Sequence, residues 1–197
     1  RASGIICPLI SEAFYGISGR PGLLLNLFLQ KIKITNMCGI TGFVDFNSRS
    51  PQELLVKMND SLIHRGPNDH GTYFDVSTGK IIGLAMRRLS IMDLSPLGHQ
   101  PMFFENLVIV FNGEIYNFKE IRKDLESAGY SFKSDSDTEV ILKAYHKWGI
   151  ECLERFIGMF AFALYDKDKN KIFLVRDRAG VNPLFYNWEN NRLLFGS

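Results

Sequence analysis

The sequence predicts an α+β fold in which helices cover antiparallel sheets. Segments with strand-like and helix-like patterns are mixed along residues 37–197. The strand-like segments of the second half are separated by links of hairpin length, such as the polar stretch 166–170. Short links of this kind join antiparallel strands, because parallel strands need longer crossovers. These two observations favour antiparallel sheets over a doubly wound parallel fold.

The first half contains one predicted helix among strands. Residues 38–46 are apolar and rich in glycine, which predicts a buried strand. Ser50, Pro51 and Glu53 form a capping-box pattern at the start of a helix that ends in a loop at 64–68. Three strands are expected after this helix, at 71–75, 80–85 and 107–111. The last of them runs into Asn112-Gly113, a dipeptide typical of turns.

The second half contains two predicted helices followed by strands. Asn117 is expected to cap the first helix, and Gly129 to end it. The second helix covers 137–149, and Cys152 lies in a short helical stretch as a core residue. Four strands complete the pattern, at 159–165, 171–176, 184–186 and 192–195.

Composition excludes several classes of protein. The chain has 197 residues, 46% of them hydrophobic, which is ordinary for a globular protein. A net charge of +2 gives no electrostatic case for nucleic acid, and the apolar run 23–29 is too short to span a bilayer. Cys7, Cys38 and Cys152 are an odd number without CxxC spacing, so we expect a reducing, cytoplasmic compartment.

Residues 1–36 differ from the rest of the chain. They carry four basic residues against one acidic residue and are interrupted by glycine and proline. Residues 20–29 imitate a signal peptide, but no small-residue cleavage site follows. We expect a non-native leader, either translated upstream sequence before a true start at Met37 or a propeptide. The alternative is a genuine N-terminal structural element.

Cys38 is the first candidate for catalysis. If Met37 is the initiator and is removed, Cys38 carries both a thiol and a free α-amine. An α-amine has a pKa near 7.7–8.0, so it can accept a proton near neutral pH. A nucleophile served by the chain's own amine is a known catalytic arrangement. A buried structural cysteine is the alternative.

Asn112, Gly113 and Arg88 are candidates of a second kind. A side-chain amide beside a flexible backbone N–H can supply two donors to an oxyanion, although the dipeptide alone is typical of a turn. The Arg88 guanidinium can clamp a carboxylate, with its neighbour Arg87 facing outward at a strand edge. A solvated arginine is the alternative for Arg88.

Glu114 and Asp137 can receive the ammonium group of an amino acid. Their alternatives are a surface carboxylate and a helix N-cap, respectively. A thiol–imidazole pair of Cys38 with His64 or His99 is a rival mechanism that no spacing supports. The four scattered histidines lack H-x-x-x-H spacing, so no metal site is predicted.

Eight motifs together resemble one known family. They include Met-Cys-Gly-Ile, His-Arg-Gly-Pro-Asn, Gly-His-Gln-Pro-Met and Phe-Asn-Gly-Glu-Ile-Tyr-Asn, and they occupy 37–40, 64–68, 88–94, 98–102, 111–117, 136–139, 158–166 and 176–180. Their order and content resemble the glutaminase domain of the class II glutamine amidotransferases, which are N-terminal-nucleophile hydrolases. Within that family, the sequence is most similar to the glutamine-hydrolysing asparagine synthetases.

The resemblance implies a fold and a catalytic set. The fold would be a four-layer α/β/β/α sandwich. Cys38 would attack the side-chain amide of glutamine, and its α-amine would relay the proton. Asn112 and the Gly113 N–H would form the oxyanion hole. Hydrolysis would need no metal or organic cofactor.

The resemblance also implies the residues that hold glutamine. Arg88 would bind the α-carboxylate, and Glu114 and Asp137 would hold the α-amine. Backbone groups around Leu89 and Ile91 would close the pocket. A zwitterionic ligand needs one cationic and one or two anionic partners, and this set supplies both.

Two features depart from the family pattern, namely Asn182 and the leader at residues 1–36, which would block the α-amine of Cys38 if it were retained. The family carries a second domain that activates aspartate with Mg-ATP, and its Ser-Gly-Gly-x-Asp-Ser loop is absent here. We therefore expect 37–197 to be an amidotransferase domain without its synthetase domain, which would take the ammonia; a homodimer is expected for the complete enzyme. Asn182 stands where the family usually has lysine, at a position outside the predicted glutamine site. The alternatives are a different ammonia acceptor and a catalytically silent glutamine-binding domain.

Overall fold

A computed structural model describes residues 38–89 and 98–197. The predictions for residues 1–36, Met37 and Ile91 lie outside the described residues. The described residues form two antiparallel sheets and three α-helices. The antiparallel arrangement predicted from the short links between strands is confirmed.

The first sheet has five strands in the order β2–β3–β1–β9–β8. They are β1 (Gly39–Asp45), β2 (Asp69–Asp75), β3 (Ile81–Arg88), β8 (Phe185–Glu189) and β9 (Arg192–Gly196). Every residue of β1 is buried because the strand lies in the centre of the sheet. The N-terminal end of β1 therefore lies beside the C-terminal end of β3, with Gly39 opposite Arg87.

The second sheet has four strands in the order β4–β5–β6–β7. They are β4 (Met102–Phe104), β5 (Leu107–Ile115), β6 (Gly158–Asp166) and β7 (Lys171–Arg176). The sequence analysis missed β4, which is only three residues long. Strand β5 does not end at Asn112-Gly113 as expected: both residues pair with β6, opposite Ala161 and Phe160. The turn prediction was wrong because cross-strand pairing overrides a local dipeptide preference.

Three helices and one 3₁₀ segment complete the described residues. They are α1 (Gln52–Asp60), α2 (Phe118–Ser127), α3 (Asp137–Trp148) and a 3₁₀ helix (Gly149–Arg155). Cys152 is buried in the 3₁₀ helix, as predicted. None of the helices in this part of the chain has the length and apolar character needed to cross a lipid bilayer.

Alternating residues of β5 face two different cores. Val108 and Val110 pack between the sheets, whereas Ile109 and Phe111 pack on the opposite face. Because both faces are covered, the strand is a continuous apolar run in the sequence.

The two outer faces of the sheets are covered by helices. Ile141 of α3 and Leu125 of α2 pack against the second sheet, and Leu55 of α1 packs against Phe43 of the first sheet. The order of layers is thus α1, first sheet, second sheet, α2 with α3. This is the four-layer sandwich that the resemblance implied.

Two side chains predicted to cap helices make no capping hydrogen bond, although Asn117 does occupy the N-cap position of α2. Ser50 does not cap α1, because its N–H and hydroxyl both donate to Asp45 Oδ2, each at 2.7 Å. Asn117 precedes α2, but its side chain bonds the backbone of the segment after the 3₁₀ helix, namely the Arg155 carbonyl and the Ile157 N–H. In both places a tertiary partner takes the polar group that local spacing assigned to the helix end.

The prediction for Arg87 is also wrong. Strand β3 is interior to the sheet, and Arg87 is buried rather than directed to solvent. Its guanidinium pairs with Asp60 and donates to the Asn59 carbonyl at the end of α1. Arg87 therefore ties α1 to the end of β3, next to Arg88.

Candidate active site

The Cys38 thiol lies at the shared end of β1 and β3. Because these strands are antiparallel, Cys38 and Leu89 meet just beyond the last pairs of the ladder. The Leu89 N–H donates to Cys38 Sγ at 3.3 Å, and Sγ lies 3.8 Å from the Leu89 carbonyl. The backbone of Leu89 thus fixes the position of the thiol.

Burial raises the pKa of the Cys38 thiol above its ordinary value. The Leu89 N–H and the positive charges of Arg88 and Arg65 oppose this rise, since each favours the thiolate. The balance leaves a neutral thiol at pH 7. A base is therefore needed to remove its proton before the sulfur can attack a carbonyl carbon.

Arg65 lies near the Cys38 thiol, and the sequence analysis did not single it out. It is buried, and burial lowers the pKa of its guanidinium. Its Nε and Nη2 find no hydrogen-bond partner within residues 38–89 and 98–197. A buried cation with unused donors beside a thiol is able to receive an anion. The motif at 64–68 drew attention to this loop, but nothing in its residue spacing indicates that the Arg65 side chain is buried.

Close packing of the 64–68 loop brings Arg65 to this place. A Cβ on Gly66 would lie 2.3 Å from the Arg87 carbonyl carbon, so only glycine lets the loop touch the end of β3. The Asn68 N–H then donates to the Arg88 carbonyl at 3.1 Å. This loop carries the Cβ of Arg65 to 3.6 Å from the position of a Cβ on Gly39.

Asn112 carries a buried amide donor, and Gly113 occupies a position that only glycine can fill. Asn112 is 2% exposed, and its Nδ2 has no hydrogen-bond partner among the described residues. Gly113 has a φ of 150°, and a Cβ there would lie 2.2 Å from the Met159 carbonyl oxygen. A side chain is thus excluded, so the residue at this point of β5 must be glycine.

Asp137 lies at the start of α3, directly after β5 in space. Its Oδ2 accepts the Ile115 N–H at 3.0 Å, and the helix N-cap is the neighbouring Ser136 rather than Asp137. Burial, together with the negative charge of Glu114, raises the pKa of Asp137 to about 6 against the opposing effect of the Ile115 and Thr138 N–H groups. Glu114 itself is exposed, yet the two carboxylates are close enough to interact.

Arg88 ends β3 opposite Asp69 of β2. Its positive charge lowers the pKa of both Asp69 and Cys38, so the guanidinium lies near the thiol. Its Nη2 would be 2.4 Å from a Cβ on Gly98. The structure thus brings Arg88, Leu89 and Cys38 together, while Ile91 lies outside the described residues.

Gln100 connects the two halves of the site, a role that the sequence analysis did not assign. Its Oε1 accepts the Phe111 N–H at 2.6 Å, and its Nε2 donates to Thr138 Oγ1 at 3.3 Å. These partners are the immediate neighbours of Asn112 and Asp137. A single buried amide therefore sets the spacing between the predicted oxyanion donor and the predicted ammonium acceptor.

The rival thiol–imidazole mechanism finds no geometric support in the described residues. His99 Nδ1 pairs with Asp69 Oδ2 at 2.9 Å, and His64 is exposed. Neither histidine hydrogen-bonds to Cys38 among the residues that the structure describes. Among the same residues, no three potential metal ligands lie close together.

The family model for the glutamine amidotransferase domain matches residues 37–197. This chain belongs to that family. The amidotransferase domain is 41% identical over 177 residues to "Putative asparagine synthetase [glutamine-hydrolyzing] 2" of Methanocaldococcus jannaschii, covering 82% of this chain and 34% of the relative. It is 40% identical to "Asparagine synthetase [glutamine-hydrolyzing] 3" of Bacillus subtilis, covering 82% of this chain and 26% of the relative. The chain thus spans about a third or less of the length of these relatives.

A solved structure shares the fold of this amidotransferase domain. It is a glutamine phosphoribosylpyrophosphate amidotransferase from B. subtilis complexed with ADP and GMP. The TM-score is 0.65 at 20% identity, covering 81% of this chain and 41% of that one. This likeness and the four layers confirm the predicted N-terminal-nucleophile hydrolase fold.

Proposed function

We propose that residues 37–197 form a glutaminase whose nucleophile is the thiol of Cys38. The observation that carries this proposal is the unpartnered, buried Nδ2 of Asn112 in a chain that belongs to the amidotransferase family. A buried donor that no described residue satisfies is available to a negative charge that develops during the reaction. Residues 1–36 and Met37 would be removed or would not precede Cys38 in the active protein, since its α-amine must be free.

The reaction would proceed through a glutamyl thioester. The Cys38 thiol gives its proton to the α-amine as the sulfur attacks the side-chain carbonyl carbon of glutamine. The resulting oxyanion accepts hydrogen bonds from Asn112 Nδ2 and the Gly113 N–H. The intermediate collapses as the protonated amine passes the proton to the leaving nitrogen, which departs as ammonia. Water then attacks the thioester and releases glutamate and the thiol.

Glutamine would be held by its charged α-groups. Arg88 binds the α-carboxylate, and the α-ammonium lies between Glu114 and Asp137. Burial, and to a smaller extent the charge of Glu114, disfavours the ionised form of Asp137, and the ammonium of the substrate would supply the positive charge that stabilises it. The backbone of Leu89, whose N–H donates to the sulfur, would close one side of the pocket.

The names of the relatives support a larger activity for the complete enzyme. The ammonia would be used on a further domain, where aspartate activated by Mg-ATP is converted to asparagine. No residue of this chain is assigned to ATP, since the sequence has no Ser-Gly-Gly-x-Asp-Ser loop. Glutamine hydrolysis itself uses no cofactor in this mechanism.

The proposal is tested by exposing the amine of Cys38 on the folded protein. A protease recognition sequence replaces residues 34–37 of the full chain, so that cleavage leaves Cys38 as the first residue. Glutamate release is measured before and after cleavage, and mass spectrometry verifies the new terminus. Activity that appears only after cleavage is the expected result.

Two outcomes would contradict the proposal. Equal activity before cleavage would mean that the α-amine is not the base. A cleaved, folded chain that releases no glutamate would mean that this domain does not hydrolyse glutamine on its own. The Cys38→Ala variant, cleaved in the same way, is the control for contaminating glutaminase.

A further inference from the structure

Asn182 lies directly behind the Asn112–Gly113 peptide of the predicted oxyanion hole. It is 0% exposed and follows β7 in a loop. Its Nδ2 donates to the carbonyl oxygen of Asn112 at 2.8 Å and to that of Met159 at 3.2 Å. Its own Oδ1 has no partner within the described residues. An unsatisfied buried oxygen costs about 1–3 kcal/mol, which offsets much of the stability that the two hydrogen bonds of Nδ2 contribute.

The loop around Asn182 is built to hold this side chain in place. The Asp177 carboxylate accepts the N–H groups of Val181 and Asn182 at 3.1 and 3.2 Å, and that of Phe160 in β6 at 3.1 Å. Burial alone would raise the pKa of Asp177, but these donors hold it below its ordinary value. The carboxylate is therefore ionised at neutral pH and ties the loop to β6.

Arg176 fixes the other side of the same loop. Its Nε donates to the Asn182 carbonyl at 2.7 Å, and its Nη2 donates to the Gly180 carbonyl. Gly180 has a φ of 65°, which lets the loop turn back over the guanidinium. With its N–H and its carbonyl both held, Asn182 has little freedom to move its amide away from β5.

The carbonyl that Asn182 bonds belongs to the same peptide group as the Gly113 N–H. In a trans peptide the carbonyl and the N–H point in opposite directions. A donor on the Asn112 carbonyl therefore fixes the plane from which the Gly113 N–H projects on the other side. It also polarises the amide, which makes that N–H a stronger donor.

We propose that Asn182 is a positioning residue that orients and polarises the Asn112–Gly113 peptide so that the Gly113 N–H stabilises the oxyanion. This inference rests on the proposed glutaminase function. Asn182 touches neither glutamine nor the sulfur in this arrangement, and it acts through the peptide. Its removal should therefore weaken the transition state and leave glutamine binding almost unchanged.

Two variants in the cleaved chain test this proposal. Asn182→Leu removes the donor, and we expect kcat to fall about 10- to 100-fold while KM changes less than about twofold. Asn182→Asp keeps the shape, but the ionised carboxylate faces two carbonyl oxygens, whereas the protonated form can donate to one. Its activity relative to the parent should therefore rise as the pH falls, and that of Asn182→Leu should not.

Tyr145→Phe is the matched control for a lost buried hydrogen bond. The Tyr145 hydroxyl donates to Asp166 Oδ2 at 2.8 Å, and Asp166 pairs with Leu107 at the opposite end of β5 from Gly113. We expect this variant to lose stability but to keep the parent's kcat. Asn182→Asp decides the matter if Asn182→Leu does not fold, because the two side chains of Asn and Asp have the same shape.

A measurement without turnover separates this proposal from the proposed function. Loss of a hydrogen bond to the Asn112 carbonyl should move the ¹⁵N resonance of Gly113 upfield in Asn182→Leu and leave it unchanged in Tyr145→Phe. An unmoved Gly113 resonance, or an unchanged kcat in the folded Leu variant, would overturn the role of Asn182. An inactive parent would overturn the glutaminase function, and the Gly113 resonance would still decide the role of Asn182.

Discussion

Gly98 packs directly against the guanidinium of Arg88. A Cβ on Gly98 would lie 2.4 Å from Nη2 and 2.9 Å from Cζ of the guanidinium. Gly98→Ala should therefore displace Arg88 without removing its charge. If Arg88 binds the α-carboxylate, the KM for glutamine rises about 10- to 100-fold, the effect of losing a charge-assisted hydrogen bond, while kcat changes little.

Gly196→Ala is the matched control for Gly98→Ala. Gly196 lies in β9, and a Cβ there would meet nothing closer than 3.7 Å. Steady-state kinetics should show the raised KM for glutamine in Gly98→Ala and the parent's KM in Gly196→Ala. An unchanged KM in Gly98→Ala would remove Arg88 from the glutamine site.

Asn112→Ala should affect catalysis more than stability. The substitution removes a buried Nδ2 that has no partner among the described residues, so the folded protein loses no known side-chain bond from it. Loss of one oxyanion donor lowers kcat about 10²- to 10³-fold. We expect kcat to fall by this factor with KM within about threefold, and the free energy of unfolding to fall by only about 1 kcal/mol. A normal kcat would exclude Asn112 from the oxyanion hole.

Glutamine binding should weaken as the pH falls below 6. The pKa of Asp137 is raised to about 6 by burial, and only the ionised carboxylate attracts the α-ammonium of the substrate. In the Cys38→Ala protein, which binds glutamine without turnover, Kd should rise about tenfold per pH unit below 6. Calorimetric titration at pH 5, 6 and 7.5 measures this. A Kd that does not change over this range would contradict the assigned role.

Asp137→Asn should stabilise the free protein above pH 6. The folded pKa is about 6 and the ordinary value is 3.8, so the folded state holds a proton that the unfolded state has lost. Stability therefore falls as the pH rises from about 4 to 6, and the loss persists above it. Two pKa units correspond to about 2–3 kcal/mol. Urea unfolding should show this gain for Asp137→Asn at pH 8 and none at pH 4, although glutamine binding is lost.

Cys38 and Cys152 should differ in reaction with iodoacetamide. Burial raises the pKa of both thiols, that of Cys152 to about 12, and Cys152 is 1% exposed whereas Cys38 is half-buried. In a Cys7→Ser background, peptide mapping should find Cys38 alkylated first, at a rate that grows with pH. Arg65→Met should slow the reaction severalfold, because it removes a charge that favours the thiolate. Faster alkylation in that variant would contradict this electrostatic role.

Periodicity predicted most elements of the fold but not their polar contacts. The helix at 137–149 and the strands at 159–165 and 171–176 follow from apolar spacing, which the tertiary structure keeps because those faces form the core. Ser50 and Asn117 lie at helix starts, but their side chains bond elsewhere. The Ser50 hydroxyl donates to Asp45, and Asn117 accepts the Ile157 N–H. A short polar side chain bonds whichever partner the fold brings near, whereas residue spacing in the sequence indicates only partners that are close along the chain.

The sequence by itself determined the strand-and-helix order, the family resemblance and the identity of Cys38, Arg88, Asn112, Gly113, Glu114 and Asp137 as candidates. These depend on residue types and on contacts that are local or repeated. Only the tertiary structure decided that Arg65, Gln100 and Asn182 lie among them. Each of these three owes its importance to burial beside residues distant in sequence: Asn182 is 70 positions from Asn112. Burial and hydrogen bonding over such separations arise only when the two sheets and the loops at their ends have been assembled.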